Sequence, residues 1–298
     1  MKHYTTNPEE VYDLPAETPD DYLERIRHRD IAHYCIQFIF SGQWAEVKVF
    51  PQWKERAFVP KKGNKTPDKQ QRLNHRNAVY KLTRILNHNF KPYEDMFCTF
   101  TCDSNHLYLT DDECFEAAEK AISRIKYRYK KANIPLRAVY KVEIKRAKNS
   151  INQYIKTADG RQLYRPHLHI VLNRGVNPRI LENAWGLGNN KRLELLRYSP
   201  EGFLNLAIYL CKDTKPGKRK WNSTTNLAKP PPPKTLYSSS AGSKRKVSTI
   251  ADRFLEQAKY FEALLPNFQF VRSEESYNEG SGVYMHARME MKTDGKKH

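Results

Sequence analysis

The chain has 298 residues, of which 39% are hydrophobic and 29% charged, and its 52 Lys and Arg against 33 Asp and Glu give a formal net charge of +19. That length suits about two domains of roughly 150 residues, and the composition is that of a polar globular protein, not a disordered one. A charge of this size attracts polyanions, so nucleic acid heads the candidate partners, while runs such as residues 168–172 are far short of the roughly 20 apolar residues needed to cross a bilayer.

The first ten residues have no basic segment leading into an apolar one and do not read as a secretory signal. Five cysteines, Cys35, Cys98, Cys102, Cys114 and Cys211, include no CxxC pair and are odd in number. This argues against a zinc ribbon and against a disulfide framework, and places the protein in a reducing cytoplasm.

In chain order, Thr18-Pro19-Asp20 and Thr66-Pro67-Asp68 each offer a capping hydroxyl, a first-turn proline and an early acid, so each predicts a helix start. Between them, residues 36–40 and 44–50, joined at Ser41-Gly42, predict a hairpin. The second helix carries Ala78, Leu82, Ile85 and Leu86 on one side. Lys69, Arg72, Arg76 and Arg84 line another, which suits a solvated face as well as a DNA contact. These first 90 residues form an accessory region.

Residues 96–102 predict a strand, and Thr110-Asp111-Asp112-Glu113 has the spacing of a capping box, followed by Phe115, Ala118, Ile122, Ile125 and Tyr129 at helical intervals. Residues 137–145 alternate, with Ala138, Tyr140, Val142 and Ile144 on one face and Arg137, Val139, Lys141, Glu143 and Lys145 on the other. A hairpin around Asp159-Gly160 leads into a strand at 167–173. A short helix follows from Asn177-Pro178 to Trp185 and ends at Gly186 and Gly188. From 212 to 246 there are ten basic residues and one acid, four consecutive prolines and a serine cluster, which predicts an extended basic connector. A helix at 250–265 and strands at 268–272 and 283–291 close the chain. The expected division is an accessory region 1–90, a core 91–213, a connector 214–248 and a C-terminal piece 249–298.

The chemistry concentrates in Arg165-Pro166-His167-Leu168-His169. Two histidines one residue apart on a strand present both rings on one side, opposite Leu168, Ile170 and Leu172, and can offer nitrogens to one divalent cation. Glu143, on the polar face of its own strand, is the favoured third ligand, with Gln153 or Asp159 as alternatives from the adjoining hairpin. Alone, the histidine pair is equally consistent with a solvent-facing accident. The second feature is a helix over 200–213, with Phe203, Leu204, Leu206, Ala207, Ile208, Leu210 and Cys211 on a broad apolar side and Gly202, Asn205, Tyr209 and Lys212 opposite. Tyr209 with Lys212 a turn later is placed like a nucleophile beside a cation that favours its phenolate, although a surface tyrosine near a lysine is common.

In this order, Phe97-Cys98-Thr99-Phe100-Thr101, His167-Leu168-His169 and Tyr209-Leu210-Cys211-Lys212 resemble the three motifs of the HUH endonuclease superfamily. The resemblance spans about residues 96–227 and is greatest to rolling-circle replication initiators of phages and plasmids, whose tyrosine helix is followed by a basic stretch similar to residues 219–227. It implies an α+β fold, with an antiparallel sheet flanked by helices. It implies Mg2+ or Mn2+ held by His167, His169 and Glu143, and attack by Tyr209 on one DNA strand to leave a 5′-phosphotyrosine and a free 3′-hydroxyl, with Lys212 offsetting charge. Arg165, Lys215, Lys218, Arg219 and Lys220 are the expected DNA contacts. The implied partners are single-stranded or supercoiled origin DNA and the host replication machinery, in a bacterial host or phage-infected cell. A two-tyrosine mechanism would need Tyr198 or Tyr164, and no GxxxxGK[ST] run supplies a fused helicase. A relaxase or single-strand transposase of the same superfamily, and a non-catalytic nucleic-acid-binding protein, are the alternatives.

Overall fold

A computed structural model describes residues 31–53, 67–188, 190–212, 220–236, 254–278 and 282–292. The helix expected from Thr18 lies outside them. The elements run β1 (Ile31–Ser41), β2 (Trp44–Trp53), α1 (Pro67–Asn89), β3 (Met96–Thr101), α2 (Asp111–Lys131), β4 (Ala138–Arg146), β5 (Tyr164–Leu172) and α3 (Pro178–Trp185). They continue as β6 (Asn190–Leu195), α4 (Leu204–Cys211), β7 (Asn222–Ser223), β8 (Lys234–Leu236), α5 (Phe254–Leu264), β9 (Phe268–Asn278) and β10 (Gly282–Met291). The fold is α+β with two antiparallel sheets, and the chain divides into two units. Among the described residues no helix is long and apolar enough to cross a membrane.

One unit comprises Met1–His88, Pro200–Gly202 and Lys229–His298. Its sheet has the order β8-β1-β2-β10-β9. The β1–β2 turn needs a glycine at Gly42: φ is +62° there, and a Cβ would sit 2.1 Å from the carbonyl oxygen of Asn87. Alternation divides the sheet. Ile36, Val47, Val49, Met285, Ala287 and Met289 join Tyr260 and Phe261 of α5 in an apolar core. Glu46 and Lys48 of β2 and Arg288 of β10 are buried polar residues on the opposite phase of the alternation. There Arg84 of α1 donates two hydrogen bonds to Glu46, at 2.8 and 2.7 Å, so it is turned inward and is not on the basic outer face the sequence suggested. The accessory region and the C-terminal piece, expected as separate additions, share this sheet through β2 and β10.

The other unit comprises Asn89–Ser199 and Phe203–Ala228, with sheet order β6-β3-β5-β4-β7. Cys98, Phe100, Ala138, Tyr140, Leu168, Ile170 and Leu172 form one face of its sheet and pack with Ile122, Ile125 and Tyr129 of α2 and Leu181 and Trp185 of α3. The capping box at Thr110 and Glu113 is formed. Phe115, expected inward, is exposed, and Cys114 is buried in its place. β6 was not foreseen: Asn-Lys-Arg-Leu-Glu-Leu is charged and pairs only with β3, an edge strand whose pattern is set by solvent. Within the stretch expected as an extended connector, β7 pairs with β4 and β8 pairs with β1.

Candidate active site

Register builds the site. Along β3, β5 and β4 the cross-strand rows are Thr99, His169, Lys141 and Thr101, His167, Glu143. Because side chains alternate, these residues share the sheet face opposite the α2–α3 core. The two histidines, Glu143 and the threonines of the first motif therefore meet on one surface.

Each imidazole is held by a hydroxyl from β3. Thr101 Oγ1 is 2.9 Å from His167 Nδ1 and Thr99 Oγ1 is 3.2 Å from His169 Nδ1. His169 Nε2 lies 3.1 Å from Glu143 Oε2, so the carboxylate accepts from Nε2–H and the Thr99 hydroxyl donates to Nδ1. Burial pushes the His167 imidazole down to about 4, and the charge of Lys145 adds to this. Burial also lowers His169, against the opposing pull of Glu143. Both rings are therefore neutral at pH 7 and carry a nitrogen lone pair. Burial alone would raise the Glu143 carboxyl, but hydrogen bonds from His169 and Lys145, the latter at 3.1 Å, bring it below its ordinary range.

α4 delivers Tyr209 to this surface. Its phenol oxygen is 3.3 Å from His169 Nδ1 and 3.5 Å from Nε2, nearly equal distances that set it against the ring instead of along one lone pair. The Tyr209 and His169 rings meet edge to face at 5.1 Å, and Phe97 stacks on His169 and meets Tyr209 edge-on. Burial and the charge of Glu143 raise the phenol, while Lys145 and Arg192 oppose that rise.

The helix is shorter than its expected 200–213. Gly202 is left-handed, with φ +67°, and Lys212 is extended, with φ −62° and ψ 152°. Ile208, expected on the apolar side, is exposed. Lys212 thus caps α4, its backbone N–H donating to the Tyr209 carbonyl at 3.3 Å. Its backbone carbonyl accepts a hydrogen bond from the ammonium of Lys141, which is buried in the sheet and so ties the end of the tyrosine helix to the row holding His169. The cations acting on the phenol are Lys145 and Arg192, which the sequence did not single out for that role.

The donor set suits a divalent cation. Two neutral imidazoles and one carboxylate are a mixed nitrogen and oxygen donor set able to ligate a divalent cation. A threonine hydroxyl both donates and accepts, so Thr99 can support His169 in either tautomer and free Nε2 for a metal. Among the described residues no three His, Cys, Asp or Glu side chains are gathered tightly enough to grip an ion as they stand. His169 and Glu143 already touch, and His167 lies directly opposite Glu143 in the β4–β5 ladder. Gln153 and Asp159, the alternative ligands, are engaged elsewhere: the Gln153 side chain accepts from the Asn149 carboxamide at 3.5 Å, and Asp159 accepts from Arg161 and Thr157.

Of the expected DNA contacts, Arg165 lies on the same face of β5 as the histidines, and Lys220 lies close enough to Cys211 for its charge to act on that thiol. Lys215, Lys218 and Arg219 lie outside the described residues. Tyr198 packs on Phe203 and Tyr164 pairs with Tyr108. The five cysteines are buried and form no disulfide. Comparison with protein-family models, with curated proteins and with solved structures found no match.

Proposed function

We propose that this protein cuts and rejoins one DNA strand as an HUH-type initiator of rolling-circle replication, with Tyr209 as nucleophile. The observation that carries the reading is the Tyr209 oxygen 3.3 Å from His169, on the face that also bears His167 and Glu143. In the reaction the phenol of Tyr209 loses its proton and its oxygen bonds to the scissile phosphorus. The bond from phosphorus to the 3′-oxygen breaks, and that oxygen takes up a proton. One phosphodiester is exchanged for another, so the step needs no water or nucleotide energy and reverses when a new 3′-hydroxyl attacks. Lys145 and Arg192 favour the phenolate, and Lys141 positions the helix that carries it. His167, His169 and Glu143 would hold Mg2+ or Mn2+, which supplies Lewis-acid polarisation of the phosphate when bound.

The substrate is origin DNA presented as a single strand or in supercoiled form, in the cytoplasm beside the host replication machinery. The net charge of +19 supports a nucleic-acid substrate of either kind. The test uses random single-stranded oligonucleotides labelled at one end, with Mg2+ or Mn2+ or a chelator. A 3′ label should move to the protein band on a denaturing gel, and a 5′-labelled fragment should run free and be extendable by a polymerase. Binding without either product, at any metal concentration, means a non-catalytic nucleic-acid-binding protein.

A further inference from the structure

We propose that residues 147–163, the excursion between β4 and β5, form a single-stranded DNA finger in which Tyr154 stacks a base while Lys148 and Arg146 contact the flanking phosphates. The inference deepens the nuclease reading above and rests on it for the identity of the strand.

The excursion is built before any ligand arrives. Ala147 donates to Leu163, Ile155 to Ala147, Leu163 to Ile155 and Thr157 to Arg161, so short extended pieces lie side by side without forming full strands. The Asn149 carboxamide accepts from the backbone of Ile151 and Gln153 at 3.1 and 2.9 Å, and Lys148 donates to Asn152 at 2.9 Å. Asn152 is left-handed, with φ 65°, at the first turn, and Gly160 with φ 83° makes the second. A segment ordered in this way has already lost the conformational freedom that binding would otherwise remove.

On this frame two large apolar side chains face solvent, Tyr154 at 52% and Ile151 at 70% exposure. Lys148 Nζ lies 4.9 Å and the Arg146 guanidinium carbon 5.9 Å from the Tyr154 ring centroid. An exposed aromatic ring with two cations over it matches a nucleotide unit once a base displaces them: the ring offers a stacking surface to any base, and the two cations remain beside it for adjoining phosphates. Between 145 and 165 there are six Lys and Arg and one acid, Asp159, whose carboxylate is held by Arg161 at 2.6 Å. A folded, uncharged peptide partner would find no use for that charge.

The finger also grows from the correct end of the site. Glu143 pairs with His167 and Arg146 pairs with Tyr164 in the same β4–β5 ladder. Arg146 is thus three residues, about 10 Å, beyond Glu143. By alternation Arg146 lies on the opposite face from Glu143, so a strand leaving the polar face passes over the end of the β4–β5 ladder to reach the finger.

The experiment measures anisotropy of a labelled random-sequence single-stranded 20-mer with the full-length Tyr209→Phe protein, which cannot consume its ligand. Tyr154→Ala should weaken binding about tenfold, and Tyr154→Phe, which keeps the ring, should stay within about twofold. Neither should change the salt slope, whereas Lys148→Gln should lower it by about 0.7. On an oligonucleotide of abasic sites the Tyr154→Ala loss should vanish, because no base remains to stack. An unchanged affinity for Tyr154→Ala, an equal loss for Tyr154→Phe, or an equal loss on the abasic strand overturns the proposal. Scoring the same finger variants for covalent adduct with Tyr209 intact separates the two readings. An adduct with normal Tyr154→Ala binding sinks the finger alone, and a base-dependent Tyr154→Ala loss with no adduct sinks the nuclease alone. If the protein binds no single strand, both fall.

Discussion

Replacing Thr101 by valine isolates one atom of the candidate site. Valine keeps the branched shape that suits β3 and removes only the hydroxyl that His167 Nδ1 meets at 2.9 Å. That hydroxyl is the hydrogen-bond partner His167 has among the described residues, whereas His169 is held on both sides, by Thr99 and by Glu143. Thr101→Val should therefore act more strongly than Thr99→Val. Loss of one neutral hydrogen bond costs about 1 kcal/mol of stability, a small fraction of a typical 5–15 kcal/mol, so the protein should stay folded at 25 °C. The larger effect falls on the site. Outer partners of ligating histidines are typically worth about 10- to 100-fold in metal affinity, because they set the tautomer and aim the other nitrogen. Mn2+ titration followed by electron paramagnetic resonance should show a drop in that range for Thr101→Val and a smaller one for Thr99→Val, with urea midpoints close to the parent's. Equal Mn2+ affinity in all three proteins would refute the claim that these hydroxyls orient metal-binding histidines.

Three further outcomes are expected. Lys141→Met keeps the apolar stem but releases the carbonyl of Lys212, so adduct formation should fall about tenfold or more while single-strand affinity stays within about twofold. Arg84→Leu leaves the buried Glu46 carboxylate without its bidentate partner and should destabilise the protein by about 3–5 kcal/mol in urea unfolding, much of it restored in Arg84→Leu/Glu46→Leu. Acid should act on the same cluster in two stages. Burial lowers His286 from 6.5, and the Arg84 and His286 contacts outweigh burial to hold Glu46 well below 4.5, so both groups bind protons more readily when unfolded. Their contributions are present at neutral pH and are lost as pH falls, first below about 6.5 for His286 and then below about 4.5 for Glu46. Urea midpoints measured from pH 8 to 4 should decline accordingly, and His286→Phe should remove the upper stage and shrink the lower one, because Glu46 also loses a hydrogen bond.

The site was legible in sequence where its signal is local. His167 and His169 alternate against Leu168 and Ile170, Glu143 sits on the matching phase of its strand, and Tyr209 falls on the polar side of a short helix; each needs only a few neighbouring residues to be read. Thr99 and Thr101 lie in a strand the sequence predicts, but their contact with the histidines depends on the β3–β5 register, with a partner strand about 70 residues away in sequence. The tyrosine helix was assigned to 200–213, and the left-handed Gly202 at one end and the extended backbone of Lys212 at the other shorten it. Arg84 looked like surface charge because its partner, Glu46, lies on a strand 38 residues earlier. The pairing of β2 with β10 is more distant still, and nothing in either strand announces its neighbour.

The central claim, strand transfer through Tyr209, is tested most directly by locating the covalent bond. The protein is incubated with single-stranded DNA and Mn2+, digested with protease and nuclease, and the residue carrying the added nucleotide is identified by mass spectrometry. The account predicts a phosphodiester to the phenol oxygen of Tyr209, absent in Tyr209→Phe and in His167→Ala and His169→Ala. An adduct at Tyr154, Tyr164, Tyr198 or any other residue, or a normal yield from Tyr209→Phe, would contradict it.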